Sequence, residues 1–246
     1  MAKEFNKVIS RLEQLVANDI SEMSDWSSNY LSLHKNRYKF DLGVLRENYI
    51  EGRILEIGSA PYQLTYLIQE LGFPIEGIDI APERHESFLS SCNLDIKKCD
   101  IENEALPFED NSFHYILFNE VFEHLRINPI QTLREINRVL HPEGVMIMST
   151  PNLYSLYNIV KMFTGKGFDN PYQEFLKLET IGHMGHVREY SVKQLEDFIN
   201  NTGFKSIKVE MVTHRPIKGF LKPLNILFKI FPGVNKYQLH VCKKVS

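Results

Sequence analysis

Residues 53 to 80 read as apolar run, small-residue turn, periodic segment, apolar run and acid, an order that few folds accept. Ile54, Leu55 and Ile57 stop at Gly58-Ser59-Ala60-Pro61-Tyr62, the pattern of a strand buried on both faces of a parallel sheet. Leu64, Leu67, Ile68 and Leu71 then recur at helical spacing, and Gly72 supplies a stop. A second apolar run over 75–80 carries Asp79, about twenty residues past the turn. This is the layout of a nucleoside-binding α/β half.

The turn narrows the choice of nucleoside. A pyrophosphate needs glycines that let backbone amides approach it at a helix N-terminus. Here Gly58 is followed by Ala60 and Tyr62 where further glycines would stand, and Pro61 has no N–H. Such a turn suits a cofactor with an adenosine but no phosphates, its ribose held by Asp79. S-adenosylmethionine is such a molecule.

Further pieces follow in order: Cys99-Asp100-Ile101 with Leu106-Pro107-Phe108, the run from Phe113 to Leu125, and the run from Leu133 to Thr150. With the 53–80 unit they resemble the class I S-adenosylmethionine-dependent methyltransferases over residues 50 to 213. The glycine-poor first turn departs from that family's usual pattern. The resemblance implies a doubly wound, mostly parallel seven-stranded sheet whose last strand, near 238–243, runs antiparallel. It also implies cofactor contacts from Glu56 to the ammonium, from backbone at Gly58, Ser59 and Ala60, from Asp79 and Ile80 at the ribose, and from Asp100 and Ile101 at adenine. Asn119 would lie beneath the sulfonium.

Alternation of strand and helix supports the same α/β class. Strands are expected near 53–57, 74–79, 95–98, 113–119, 144–149, 204–212 and 238–243, and helices near 63–72, 82–90, 130–140 and 191–202. Ser191 is a good N-cap and Gly203 a natural stop. Before the first strand, Phe5, Val8, Ile9, Leu12 and Val16 predict one helix and residues 38–49 a second, with Trp26, Tyr30 and His34 between them. The domain organisation expected is a helical cap over 1–50 and a catalytic domain over 51–246. The cap either closes over the cofactor or covers a sheet edge.

Two insertions interrupt the pattern. Residues 151–186 hold Pro151-Asn152, Gly165, Gly167 and Gly182, and six aromatics including Tyr154, Tyr157 and Phe168, which suggests a segment covering the substrate. Residues 214–235 mix Phe220, Leu224, Ile226, Ile230 and Phe231 with Lys218, Lys222 and Lys229. That segment is either a lid on the first insertion or a peripheral membrane contact through 218–231.

Composition sets outer bounds. At 246 residues and 43% hydrophobic the chain can bury one substantial core. A net charge of −3 argues against DNA and RNA as partners. Three cysteines without Cys-x-x-Cys spacing read as reduced thiols, and no signal peptide or membrane span is visible, so a cytoplasmic protein is expected.

Methyl transfer from a sulfonium leaves the enzyme to position the acceptor, exclude water and make the acceptor nucleophilic. If a helix follows the fourth strand, Glu120, Glu123 and His124 share one face of it at i, i+3 and i+4. With the later His183 and His186, this resembles two metal-dependent O-methyltransferase groups: the small-RNA 3′-terminal 2′-O-methyltransferases and the ubiquinone-pathway O-methyltransferases. The resemblance implies one divalent ion on Glu120, Glu123, His124 and His186. Without an ion, His124 would be the general base, assisted by Glu120. The expected activity is methylation of a hydroxyl on a small molecule or glycan. The alternatives are a ribose 2′-hydroxyl at an RNA terminus, or a cofactor-binding scaffold without turnover.

Overall fold

The computed structural model describes residues 2–166, 170–180 and 185–245. Gly167, Phe168, Gly182 and His183 lie outside the described residues. In chain order the helices α1 (Ala2–Ala17) and α2 (Ser24–Asn48) precede β1 (Ile54–Ile57), α3 (Gln63–Glu70) and β2 (Ile75–Asp79). Then come α4 (Glu86–Cys92), β3 (Ile96–Lys98), β4 (Phe113–Asn119), α5 (Pro129–Val139) and β5 (Leu140–Pro151). The chain continues through α6 (Leu156–Phe163), α7 (Pro171–Thr180), α8 (Val192–Asn200), β6 (Phe204–Val212), α9 (Leu227–Ile230) and β7 (Tyr237–Lys244).

Among the described residues the strands form one seven-stranded sheet in the order β3-β2-β1-β4-β5-β7-β6. β1 pairs in parallel with β2 and β4, β2 pairs in parallel with β3, and β6 and β7 pair antiparallel. This is the mostly parallel, doubly wound architecture that the alternation predicts. The chain divides into two compact units, Met1–Leu117 with Arg138–Val145, and Phe118–Asn137 with Met146–Ser246.

In the first unit all four residues of β1 are buried, as a central parallel strand requires. Gly77 in β2 is closely packed: a Cβ there would lie 2.5 Å from Ile96 Cδ1 and 2.8 Å from Ser59 Oγ, so those side chains would have to shift. The second N-terminal helix, predicted over 38–49, spans Ser24–Asn48 instead, so Trp26, Tyr30 and His34 lie on it. Its buried face includes Ser27, Arg37 and Asp41 beside Leu31, Tyr38, Leu42 and Leu45, and those polar members broke the apolar period that sequence reading relies on.

In the second unit α8 begins with a capping box: Ser191 Oγ accepts from the Gln194 amide, and the Gln194 side chain accepts from the Ser191 amide. The insertions contain α6 and α7, then a 3-10 segment Gly219–Ile226 leading into α9. No helix among the described residues is long and apolar enough to cross a membrane. Cys92, Cys99 and Cys242 are buried free thiols.

Candidate active site

The first unit contains the β1–turn–α3–β2 stretch. Gly58 leaves β1 in the left-handed region at φ 67°, where a side chain would be strained. The amides of Gly58 and Ser59 both donate to the Ile78 carbonyl, at 2.9 and 3.1 Å. The Ala60 amide donates to Asp79 Oδ2 at 3.0 Å, and the Tyr62 amide to the Ser59 carbonyl at 2.6 Å. Since Pro61 has no N–H, every amide of the turn is committed inside the protein. A pyrophosphate would have no donor here, whereas a phosphate-free adenosine needs none.

Asp79 keeps acceptor capacity at the end of β2. Its Oδ2 takes the Ala60 amide and its Oδ1 the Ala81 amide at 3.1 Å. A carboxylate oxygen has two lone pairs, so each retains acceptor capacity for one hydroxyl. Burial raises the Asp79 carboxyl above its usual range, opposed by those amide bonds. Ile80 follows with half its surface exposed, an apolar patch beside the carboxylate suited to a base. Asp100 closes its own turn, accepting from the Glu102 amide at 3.0 Å and the Asn103 side chain at 2.8 Å, with Ile101 next to it.

Glu56 is buried on β1 and accepts a hydrogen bond from Thr65 Oγ1. Burial pushes its carboxyl up to about 8, and the Thr65 bond and the Arg37 charge offset only part of that. A carboxyl poised in this way suits an incoming ammonium. Thr65 and Arg37 escaped the sequence reading, although a threonine within the Leu64–Ile68 apolar stripe was a readable sign of a buried partner. α2 contributes here as well. Tyr38 donates to Gln63 Oε1 at 3.0 Å, Gln63 donates to the Ser27 carbonyl at 2.8 Å, and Trp26 packs on His85. The N-terminal helices thus reach the loops that follow β1 and β2. The buried acid, the acceptor capacity left at Asp79 and a turn with no uncommitted amide fit S-adenosylmethionine.

The second unit gathers a different group. The structure has no helix directly after β4. Glu120 is left-handed at φ 58°, and Phe122–His124 make a single 3-10 turn that ends at extended Leu125. The positive φ of Glu120 breaks the register a helix would need. Its amide instead continues the ladder to the Ser149 carbonyl, and Ser149 Oγ donates to Glu120 Oε1 at 2.9 Å. Glu120 is thereby tied to Ser149 on β5 through both backbone and side chain.

Glu123 and His124 are joined by His186. The amides of Val187 and Arg188 donate to the Glu123 carbonyl at 2.8 and 3.3 Å, and the His186 amide donates to Glu174 Oε2 at 2.9 Å. Those bonds carry the distant histidine back to the turn. One ligand atom from each of Glu123, His124 and His186 lies within 4.8 Å of the other two. The His124 and His186 rings meet edge to face at 5.0 Å, and His186 Nε2 is 3.9 Å from Glu123 Oε1. Thr150 Oγ1 donates to Glu123 Oε2 at 2.9 Å.

Burial, reinforced by His124, lowers His186 to about 4, so its imidazole is neutral near pH 7 with a lone pair to offer. Two imidazoles and a buried carboxylate form a donor set for a borderline divalent ion. Bonds of about 2.1 Å place two ligand atoms at most about 4.2 Å apart, so a small inward turn of the side chains completes the fit. Three of the four expected ligands thus meet, and Glu120 lies outside the group. Asn119, buried at the end of β4, has neither side-chain amide atom hydrogen-bonded among the described residues.

A family model described as a methyltransferase domain matches residues 7–209. The chain belongs to that methyltransferase family. By family and fold it is an S-adenosylmethionine-dependent methyltransferase of class I. The methyltransferase is similar to an uncharacterized protein of Methanocaldococcus jannaschii, at 24% identity over 209 residues, 79% of this chain and 80% of that one. It is similar to a ubiquinone biosynthesis O-methyltransferase of Xanthomonas campestris pv. campestris at 28% identity over 122 residues, 48% of this chain and 50% of the other. Its fold matches a Thermotoga maritima S-adenosylmethionine-dependent methyltransferase, described as a possible histamine N-methyltransferase. That match has a TM-score of 0.63 at 19% identity, covering 90% of this chain and 95% of the other.

Proposed function

We propose that this methyltransferase methylates a hydroxyl of a small molecule or sugar, and that Glu123, His124 and His186 hold one divalent ion that activates it. The grouping of those three side chains, two of them neighbours and one brought from far along the chain, carries the reading. S-adenosylmethionine supplies a methyl already activated on sulfur, so the protein's contribution is positioning, exclusion of water and removal of the acceptor's proton. A divalent ion on this donor set would supply Lewis acidity that lowers a hydroxyl pKa.

The residue roles follow from the two donor sets. Glu56 takes the ammonium, Asp79 the ribose hydroxyls, and Ile80, Asp100 and Ile101 the adenine. Thr150 holds Glu123 in place as an ion ligand, and the backbone bonds of the 185–188 strap keep His186 beside it. An amine acceptor would need no such activation, so this group favours oxygen over nitrogen. The Xanthomonas relative, an O-methyltransferase, supports the same reading.

The test combines metal analysis with turnover. Protein purified without chelator should retain close to one equivalent of a divalent ion, by elemental analysis. It should transfer radiolabelled methyl from S-adenosylmethionine to members of a phenol, catechol and sugar panel. Glu123→Gln and His186→Ala should each lose the ion and slow transfer by at least about 10–100-fold while still binding S-adenosylhomocysteine. Turnover that survives chelation, with no ion retained at any loading, would remove the ion and leave His124 as the base. Tight cofactor binding without turnover on any acceptor would favour a scaffold.

A further inference from the structure

α6 and the 213–236 segment are built inside out. α6 buries a single residue, Asn158, while Tyr157, Val160, Met162 and Phe163 are exposed. From Gly219 to Val234 no residue is buried, and Phe220 is 91% exposed. The polar side chains face inward instead. Asn235, itself buried, donates to the carbonyls of Phe228 and Pro232, both at 2.9 Å. Asn225 brackets the segment by accepting from the Ile217 amide and donating to its carbonyl, both at 2.8 Å. Buried Asn152 donates to the carbonyls of Gly233 and Asn235, both at 2.8 Å, and Asn158 donates to the Asn152 carbonyl at 3.3 Å. α6 and the 213–236 segment are therefore tied into one scaffold that presents its apolar side chains to solvent.

Charge distinguishes the same stretches. Residues 151–166 and 213–236 contain seven lysines and arginines and not one Asp or Glu, in a chain whose net charge is −3. Lys218, Lys222 and Lys229 are exposed among the apolar groups. We propose that this face docks on a phospholipid membrane that contains anionic lipid, with Phe163, Phe220, Ile226 and Ile230 entering the acyl boundary and the lysines meeting headgroups.

Composition selects the occupant. Protein interfaces favour Tyr, Trp and Arg and are depleted in Lys, whereas this face has Lys as its main charge and no Trp. Nucleic acid is bound by hydrogen-bond donors and stacking rings, and aliphatic Leu, Ile, Val and Met add nothing to either. Amphipathic segments at a bilayer surface combine buried aliphatic and Phe side chains with lysines whose stems reach back to the headgroups. A face of this kind also brings the enzyme to acceptors that reside in the bilayer.

The experiment is vesicle co-sedimentation of the full chain, with phosphatidylcholine vesicles alone or containing one quarter phosphatidylglycerol. The bound fraction should be several-fold higher on the anionic vesicles and fall with added salt. Phe163→Glu with Phe220→Glu should cut partitioning by about tenfold or more. The triple reversal Lys218→Glu, Lys222→Glu, Lys229→Glu should abolish the preference for phosphatidylglycerol. Unchanged melting temperature and S-adenosylhomocysteine binding would show that both variants remain folded. The proposal is overturned if wild-type protein stays in the supernatant with anionic vesicles at low salt, or if neither set of substitutions alters binding. It is equally overturned by a homodimer in sedimentation velocity that Phe220→Glu dissolves, or by retention on polyglutamate without vesicle binding. Those last two results would assign the face to a second copy or to an acidic protein.

Discussion

Glu56 and Asp79 sit one strand apart in the same unit, and their different surroundings predict different responses. With its carboxyl pushed up to about 8 by burial, Glu56 is mostly protonated at neutral pH in the free protein. An ammonium partner favours the carboxylate, so a cofactor ammonium seated at Glu56 would expel that proton. Affinity for S-adenosylmethionine should therefore rise with pH from about 6 towards about 8, by at most about tenfold per unit. Glu56→Gln should flatten the dependence, and calorimetry in buffers of different ionisation enthalpy should detect the released proton. Asp79 already holds two backbone amides, and its remaining acceptor capacity is what a ribose would use. Asp79→Asn should weaken binding by about 1.5–3 kcal/mol, read by calorimetry. These acids stood out in the sequence because each lies at or next to the end of a strand whose apolar run is local. The involvement of Thr65 and Arg37 was not, because partners from other elements are recorded only in three dimensions.

At the scale of elements, packing around β2 is the tightest constraint on the turn that faces it. Gly77→Ala would drive a methyl into Ile96 and Ser59. It should destabilise the protein by about 1–3 kcal/mol in urea titration and weaken cofactor binding as Ser59 moves. The capping box of α8 is independent of that region. Ser191→Ala should cost about 1 kcal/mol and leave turnover unchanged. Helices with clean apolar stripes, such as α3 and α8, were readable from their spacing. α2 was longer than its pattern indicated because it buries Arg37 beside Asp41 and its Ser27 accepts from the Gln63 side chain, so polar contacts supply part of what apolar area usually provides. The segment after β4 failed as a helix for a local reason, the left-handed Glu120, which periodicity does not register.

For the whole molecule, pH stability should be governed at the acidic end by buried imidazole. His240 lies on β7 with no exposed surface, and burial lowers it to about 4 from its ordinary 6.5. Above pH 6.5 both folded and unfolded chains hold it neutral, and its contribution is complete. Below that the unfolded chain takes up a proton that the folded chain refuses. Stability should thus fall between pH 6.5 and about 4, by at most about 1.4 kcal/mol per unit from this residue. Melting curves of the wild type and His240→Asn should converge as the pH drops through that window.

What the sequence by itself determined is whatever neighbours along the chain enforce. That covers the strand–turn–helix–strand unit with its acid, the phosphate-poor turn, the alternation that dictates a doubly wound sheet, and the cap of α8. Each is set by spacing or by one residue's backbone, and needs no knowledge of distant contacts. Only the tertiary structure decided which ligand-type side chains meet. His186 reaches Glu123 and His124 because the Val187 and Arg188 amides bond the Glu123 carbonyl, a pairing no local pattern encodes. The orientation of the two insertions was decided in the same way. Their alternation of apolar and basic residues suits a lid or a surface equally, and the inward-turned Asn152, Asn158, Asn225 and Asn235 send the apolar groups outward.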